Sequence, residues 1–339
     1  MPKVTIRDVA EAAGVGIGTV SRVLNNNENV SDKTRQRVID VIEELNFVPN
    51  AAARQLPRKT PYQSIGVITR PFDEYFSFAE RLRGVQKALK PYVDRYELTL
   101  HNTHTTRNYD QRLLSIIETS VIAGLLLIDF ELTADQKVAL GQLGIPFVGL
   151  NHARSADWVC IGTDNEQGGY LATRYLIRLG HTKIAYLGND LIDEDGFETS
   201  KGRYTGYLRA LQDAGIQQRP AYFQTGVAGY DAAKAMSLTL LRQRERPTAI
   251  FAMSDIQGLG AIAAAKELDL RVPEDVSVIG YDDIEVAFHT GLTTVRQHLE
   301  TSGTVAMNYL LQMIHHEAPD EIPRLPPLEI IERETTRHL

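Results

Sequence analysis

Two sets of side chains in this 339-residue sequence have types and spacings that could do chemistry. The first lies in residues 17–25, where Thr19, Ser21, Arg22 and Asn25 fall on the polar side of a periodic stretch. Short hydroxyls and amides suit phosphate oxygens, which position a helix on a duplex without reading its sequence. Arg22 has the fork needed for guanine O6 and N7, while Ile17 and Gly18 lead the stretch and would face base edges. Ile17 offers only apolar contact, such as to a thymine methyl. The second set follows short apolar runs. Asp129 ends GLLLID, Asn151 follows FVGL, Ser254 and Asp255 follow AIFA, and Asp282 and Asp283 follow SVIG. Tyr75, Phe76 and Phe78 come after the first run, Phe223 lies in a later one, and Arg203 sits near a helix start after loop 189–199. Groups with paired hydrogen-bond sites beside aromatic faces suit a sugar, with hydroxyls on its edge and C–H groups on its faces.

Each of these residues also has a plainer role. Asp255 is equally suited to cap a helix, and Asp283 to order a loop. Phe76 and Phe78 are as well suited to a core as to a ligand, and Arg203 and Asp282 can pair with each other. His315–His316 reads as solvated surface and Cys160 as core. No Walker A loop, GxSxG elbow or HExxH helix occurs, and nothing fixes a carboxylate pair at glycosidase separation. The expectation is therefore no enzyme, no cofactor and no metal. The single cysteine excludes an internal disulfide and a Cys-rich zinc site.

The first set needs a helical hairpin to present it. Ile6, Val9, Ala10 and Ala13 recur at helical spacing before Gly14, a residue suited to end a helix. Val20, Val23 and Leu24 define a second helix, and a third runs from Ser31 past Leu45 to stop at Pro49. Residues 1–49 thus read as a helix-turn-helix domain. Residues 50–63 read as hinge and linker, with a short helix from Asn50 to Leu56 ended by Pro57 and Pro61.

The second set needs strand ends. Apolar β-rich runs at 64–69, 97–101, 124–129, 147–150, 183–188, 249–252 and 277–280 alternate with helical runs at 165–179, 200–214, 229–243 and 255–268. This is an α/β pattern of parallel sheets wrapped by helices. The alternation restarts near Gly162, so two lobes are expected, about 64–162 with 293–324 and 163–292 with 325–339. Net charge is −7, but residues 1–60 hold nine Lys/Arg against seven Asp/Glu, so only the front of the chain suits phosphate. No apolar run nears the roughly 18 residues of a membrane span, and the N-terminus lacks an apolar signal core. A cytoplasmic protein with no membrane role is expected.

These residues carry a resemblance. DVAxxAGV, TVSRVLN, VSxxTRxxV, IEELNF and PNxxARxL, together with SVIGYDD and LTTVRQ further on, closely resemble the lactose-repressor/galactose-repressor family of bacterial regulators. The resemblance implies a two-lobed, doubly wound, periplasmic-binding-protein-like effector domain behind the helix-turn-helix. It implies base-reading roles for Ile17, Gly18 and Arg22, and phosphate roles for Thr5, Thr19, Ser21, Asn25, Ser31 and Thr34. Gly16 departs from the family's usual serine. The family's hinge helix corresponds to Asn50–Leu56, with Arg54 toward phosphate and Leu56 as a wedge into a central base step. Of the effector candidates, the resemblance supports Asn151, Arg203 and Asp282. Ser254 and the segment FDEYFSF depart from its pattern. The function expected is a homodimeric repressor of carbohydrate-utilisation genes, released from a pseudo-palindromic double-stranded DNA operator by a small sugar-like effector. The alternatives are a regulator activated by a purine-like corepressor and a sugar-binding protein without a DNA role.

Overall fold

The computed structural model describes residues 6–24, 30–45, 63–69, 76–102, 122–130, 132–151, 158–190, 198–317 and 321–339. The hinge segment and the expected contacts Thr5, Asn25, Asn50, Arg54, Leu56 and Tyr75 lie outside them.

The N-terminal unit holds three helices, α1 (Ile6–Ala12), α2 (Ile17–Leu24) and α3 (Asp32–Glu44). Val9, Ala10, Ala13, Val20, Val23 and Val38 form its small core. Gly14 adopts a positive φ of 60°, a backbone state costly for other residues, and Val15 N donates to Ala10 O at 3.0 Å. That left-handed cap turns α1 into α2 within four residues. Gly16 leads α2 by accepting from Thr19 N and Val20 N through its carbonyl. Ser31 caps α3, its Oγ accepting from Thr34 N at 3.4 Å.

The second unit contains two sheets. In the first, β1 (Gln63–Thr69), β2 (Tyr96–Asn102), β3 (Ile122–Ile128), β4 (Phe147–Leu150) and β5 (Cys160–Ile161) lie in the order β2-β1-β3-β4-β5, all parallel. Helices α4 (Ser77–Leu89) and α5 (Ala134–Gln142) connect them. In the second sheet the order is β11-β10-β9-β8-β6-β7. Its strands are β6 (Ile184–Asn189), β7 (Phe223–Gly226), β8 (Ala249–Ala252), β9 (Ser277–Asp282), β10 (Thr293–Arg296) and the antiparallel β11 (Glu329–Ile331). Between them run α6 (Asn165–Arg178), α7 (Glu198–Asp213), α8 (Tyr230–Leu241), α9 (Asp255–Glu267) and α10 (Glu285–His289). Finally α11 (Leu299–Ile314) returns to the first sheet and buries Ala306, Met307 and Leu310 in its core.

One boundary needs correction. Residues 293–296 were expected in the first lobe, but they form β10, parallel to β9 in the second sheet. The return crossing falls at Gln297–His298. The sequence signal failed because β10 carries a single aliphatic residue, Val295, between threonines and an arginine, whereas the equally short β4 and β8 are almost wholly apolar.

Both sheets are doubly wound, with strand order reversing between β1 and β3 and between β6 and β8. Ligands in such sheets bind beyond the carboxyl ends of strands at these reversals. The second sheet is buried on both faces, one lined by Ala185, Leu187 and Val278 and the other by Tyr186, Phe251 and Tyr281. That two-sided burial is why its strands are nearly continuous in apolar residues.

Candidate functional site

In the N-terminal unit, α2 buries Val20 and Val23 and leaves the opposite face outward. Ile17 is 43% exposed, Gly18 and Arg22 are exposed, and Thr19 is half-buried. Ser21 lies on the same helix. Ser31 and Thr34 share a 2.9 Å hydroxyl contact at the start of α3, so part of Ser31's capacity goes to capping.

In the second unit, a cleft opens where both sheets present their carboxyl ends. Phe76, Asp129 and Asn151 line it from the first lobe; Arg203, Ser254 and Asp282 line it from the second. Asp129, Asn151 and Asp282 each sit at a strand end with positive φ, at 54°, 69° and 118°. Non-glycine residues in that region are uncommon and concentrate at functional sites.

The polar groups form a connected set. Asn151 Nδ2 donates to Asp129 Oδ1, while its own Oδ1 is buried without a partner. Arg203 Nη1 donates to Met253 O at 2.5 Å, and its Nε to Asn165 Oδ1 at 3.0 Å. Its guanidinium lies 3.7 Å from the centre of the Tyr281 ring and 3.6 Å from Asp282 Oδ1. Asp282 also accepts from Gln297 Nε2 at 2.5 Å. Burial pushes the Asp282 carboxyl up to about 6, although Arg203 and Arg81 pull it down.

Several expected residues are placed differently. Phe78 is buried in the first-lobe core at 6% exposure and does not line the cleft; Phe76, two residues earlier, lines it and is 56% exposed. Helix α4 begins between them and turns one side chain inward and the other out. Phe223 stacks against Tyr186 and Tyr204 at centroid separations of 6.0 and 4.6 Å, outside the lining. Ser254 both lines the cleft and caps α9, its Oγ accepting from Gln257 N at 3.3 Å. Asp255 is neither cap nor lining residue. Its carboxyl accepts from Ile284 N at 2.9 Å and Thr294 Oγ1 at 2.5 Å, and burial followed by the charge of Asp282 raises its pKa well above normal. Asp283 orders the following loop through Arg296 and Arg333, each at 2.6 Å.

Sequence reasoning missed Arg81, Asn189, Thr199 and Gln297, all of which line the cleft. Asn189 ends β6 just as Asn151 follows β4, so the same strand-end rule finds it. Arg81 lies inside α4, where nothing in the sequence separates it from a surface arginine. Among the described residues there is no cluster suited to a metal, and no helix long and apolar enough to cross a membrane.

A helix-turn-helix unit followed by two doubly wound lobes around a polar cleft defines a DNA-binding regulator with an effector domain. Residues 5–50 match the bacterial regulatory proteins of the lacI family, and residues 173–336 match the periplasmic binding protein-like domain. The chain is 37% identical over 316 residues to the HTH-type transcriptional repressor PurR of Erwinia tasmaniensis, covering 91% of this chain and 90% of that one. It is 35% identical to the PurR of Haemophilus influenzae strain PittEE, covering 92% of each. Its structure resembles that of the lac repressor dimer bound to operator and the anti-inducer ONPF, with 28% identity, 99% of each chain covered and a TM-score of 0.70. A complex of the regulator CelR with cellobiose is also similar, with 29% identity, a TM-score of 0.68 and 98% of this chain and 100% of that one covered. The chain belongs to the lacI family of bacterial regulatory proteins, and it is a DNA-binding transcriptional repressor.

Proposed function

We propose that a purine-like metabolite bound in the cleft raises the affinity of this repressor for its operator. The observation that carries this is the extended similarity to PurR repressors, which covers 91% of this chain and 90% of the relative and which points to purine genes. It favours the corepressor alternative over the sugar-released repressor expected first. The cleft is consistent with it. Arg203 and Asp282 set donors beside an acceptor, the complement of a nucleobase edge carrying carbonyl, ring nitrogen and N–H. Phe76 supplies an aromatic face at the mouth.

In this proposal two copies of the chain meet on a pseudo-palindromic operator, as the two-fold symmetry of such sites requires. Each presents α2 to the major groove, with Arg22 on a guanine and Ile17 and Gly18 against base edges. Thr5, Thr19, Ser21, Asn25, Ser31 and Thr34 hold phosphates. Asn50, Arg54 and Leu56 form the hinge contacts. Ligand closes the lobes and shifts the population toward the operator-binding state; it acts only through a difference in affinity for the two states. A coupling of about 1–3 kcal/mol changes operator affinity roughly 5- to 150-fold.

The similarity to the CelR–cellobiose complex favours a second occupant, a sugar. Calorimetry of the full chain with hypoxanthine, guanine, glucose and cellobiose separates the two. Operator binding measured with each ligand then gives the sign. A purine base that binds and tightens operator binding supports the proposal. Binding of a sugar alone, or a purine that loosens the operator complex, overturns it.

A further inference from the structure

Arg81 stands apart from the other described charged groups of the cleft wall. It projects from the second turn of α4 and is 2% exposed. A guanidinium carries five N–H donors in a fixed fork. Arg81 uses one, a 3.3 Å bond from Nη2 to Gln297 Oε1. Its Nε is buried with no acceptor, and it enters none of the ion pairs of the described residues. Its neighbours are engaged elsewhere. Arg203 is held through Nε and Nη1 by Asn165, Met253 and Asp282; Asp282 takes the amide of Gln297, and Asp129 takes that of Asn151. Burial lowers the Arg81 pKa, and the fields of Asp129 and Asp282 oppose that without either touching it.

A buried guanidinium with its fork unfilled is costly to hold, because its lost hydration has no replacement. Carboxylates and phosphates fill that fork with two parallel charge-assisted bonds. We propose that Arg81 receives an anionic oxygen of the effector, a carboxylate or a phosphate, so that the natural ligand of this cleft is an anion. The inference rests on the cleft being the effector site, and it narrows the purine reading to a purine bearing an anionic group.

Calorimetry on the full chain tests it with matched pairs: inosine against its monophosphate, glucose against its phosphate, and glucose against gluconate. The expected result is that the charged member of at least one pair binds about tenfold or more tightly. Arg81→Met should bring that ratio to near unity, and Arg81→Lys, a point charge without the fork, should leave part of it. Circular dichroism establishes that the variants are folded, and the wild-type ratios stand even if one is not. A preference for the inosine monophosphate supports both the inference and the purine reading. A preference confined to the glucose pairs supports Arg81 and overturns the purine reading, with phosphate and gluconate telling the two oxyanions apart. Inosine binding with no preference in any pair supports the purine reading and overturns the role of Arg81. No preference in any pair, whether or not the probes bind, overturns it as well, as does a preference that survives Arg81→Met.

Discussion

Replacing Asp282 with asparagine should make the ligand-free protein more stable and a poorer binder. The Asp282 carboxyl has its pKa raised from 3.8 to about 6, chiefly by burial. The native state therefore holds this proton to higher pH than the unfolded chain does, and ionisation opposes folding. The penalty is absent below about pH 4, grows as pH rises toward 6, and is fully present above that. A rise from 3.8 to about 6 is equivalent to about 3 kcal/mol. Asparagine imitates the protonated acid and keeps its size. It also removes the charge that helps raise the pKa of Asp255. Urea unfolding of both proteins without ligand, from pH 4 to pH 8, measures the difference. The two curves should coincide at the acid end and separate by up to about 3 kcal/mol at neutral pH, with the variant more stable. A variant less stable than wild type at neutral pH would refute the reasoning, because it would mean that Arg203 and Arg81 more than repay the buried charge. Ligand affinity should fall in parallel, the usual trade between stability and a preorganised site.

Gly169→Ala would place a methyl group 2.0 Å from Arg203 O, forcing α6 and α7 apart. Overpacking costs about 1–3 kcal/mol, offset by about 1 kcal/mol of helix propensity, so thermal stability should drop modestly while ligand affinity falls through displaced Arg203. Arg22→Ala should lose about 1–3 kcal/mol of operator affinity and relax preference at one base pair, read by binding to an operator selected from random duplexes; a uniform loss on all sequences would instead assign Arg22 to phosphate. Asp283→Asn leaves Arg296 and Arg333 without their shared carboxylate, and urea unfolding should show a loss of about 1–3 kcal/mol, because Arg333 and Asp283 are largely buried.

The parts of the fold that were legible in sequence are those with a local cause. Gly14 ends α1 because only its backbone turns left-handed cheaply there. The long apolar strands β3, β6 and β9 announce themselves, and the polar residues immediately after strands, such as Asn151 and Asp282, follow from that geometry. What was not legible depends on contacts between distant segments. β5, β10 and β11 span two to four residues and exist because longer neighbours pair with them. The fates of Phe76 and Phe78 depend on where α4 starts. Asp255 is claimed by Thr294 and Ile284 from another part of the second lobe. Arg81 owes its burial to α11, more than 200 residues away, since the would-be Cβ of Gly303 lies 2.0 Å from Arg81 O.

That same crossing bears on how the protein is made. Chain synthesis delivers β1 to β5 and α4 first, yet the helix that covers them, α11, begins only at Leu299. Gly84 and Gly303 mark how tightly the two helices must fit once they meet. At about 5–20 residues per second, the ribosome needs on the order of ten seconds to pass from the end of β5 to α11. Through that interval Val85, Leu89 and Leu126 lack their cover of Met307 and Leu310. The oldest lobe of the nascent chain thus closes only after most of the younger one has emerged, and it waits with an apolar flank open to chaperones or to aggregation. Premature termination anywhere before Ile314 would leave that flank bare for good, so truncated products should be cleared or insoluble rather than persist as one-lobed regulators.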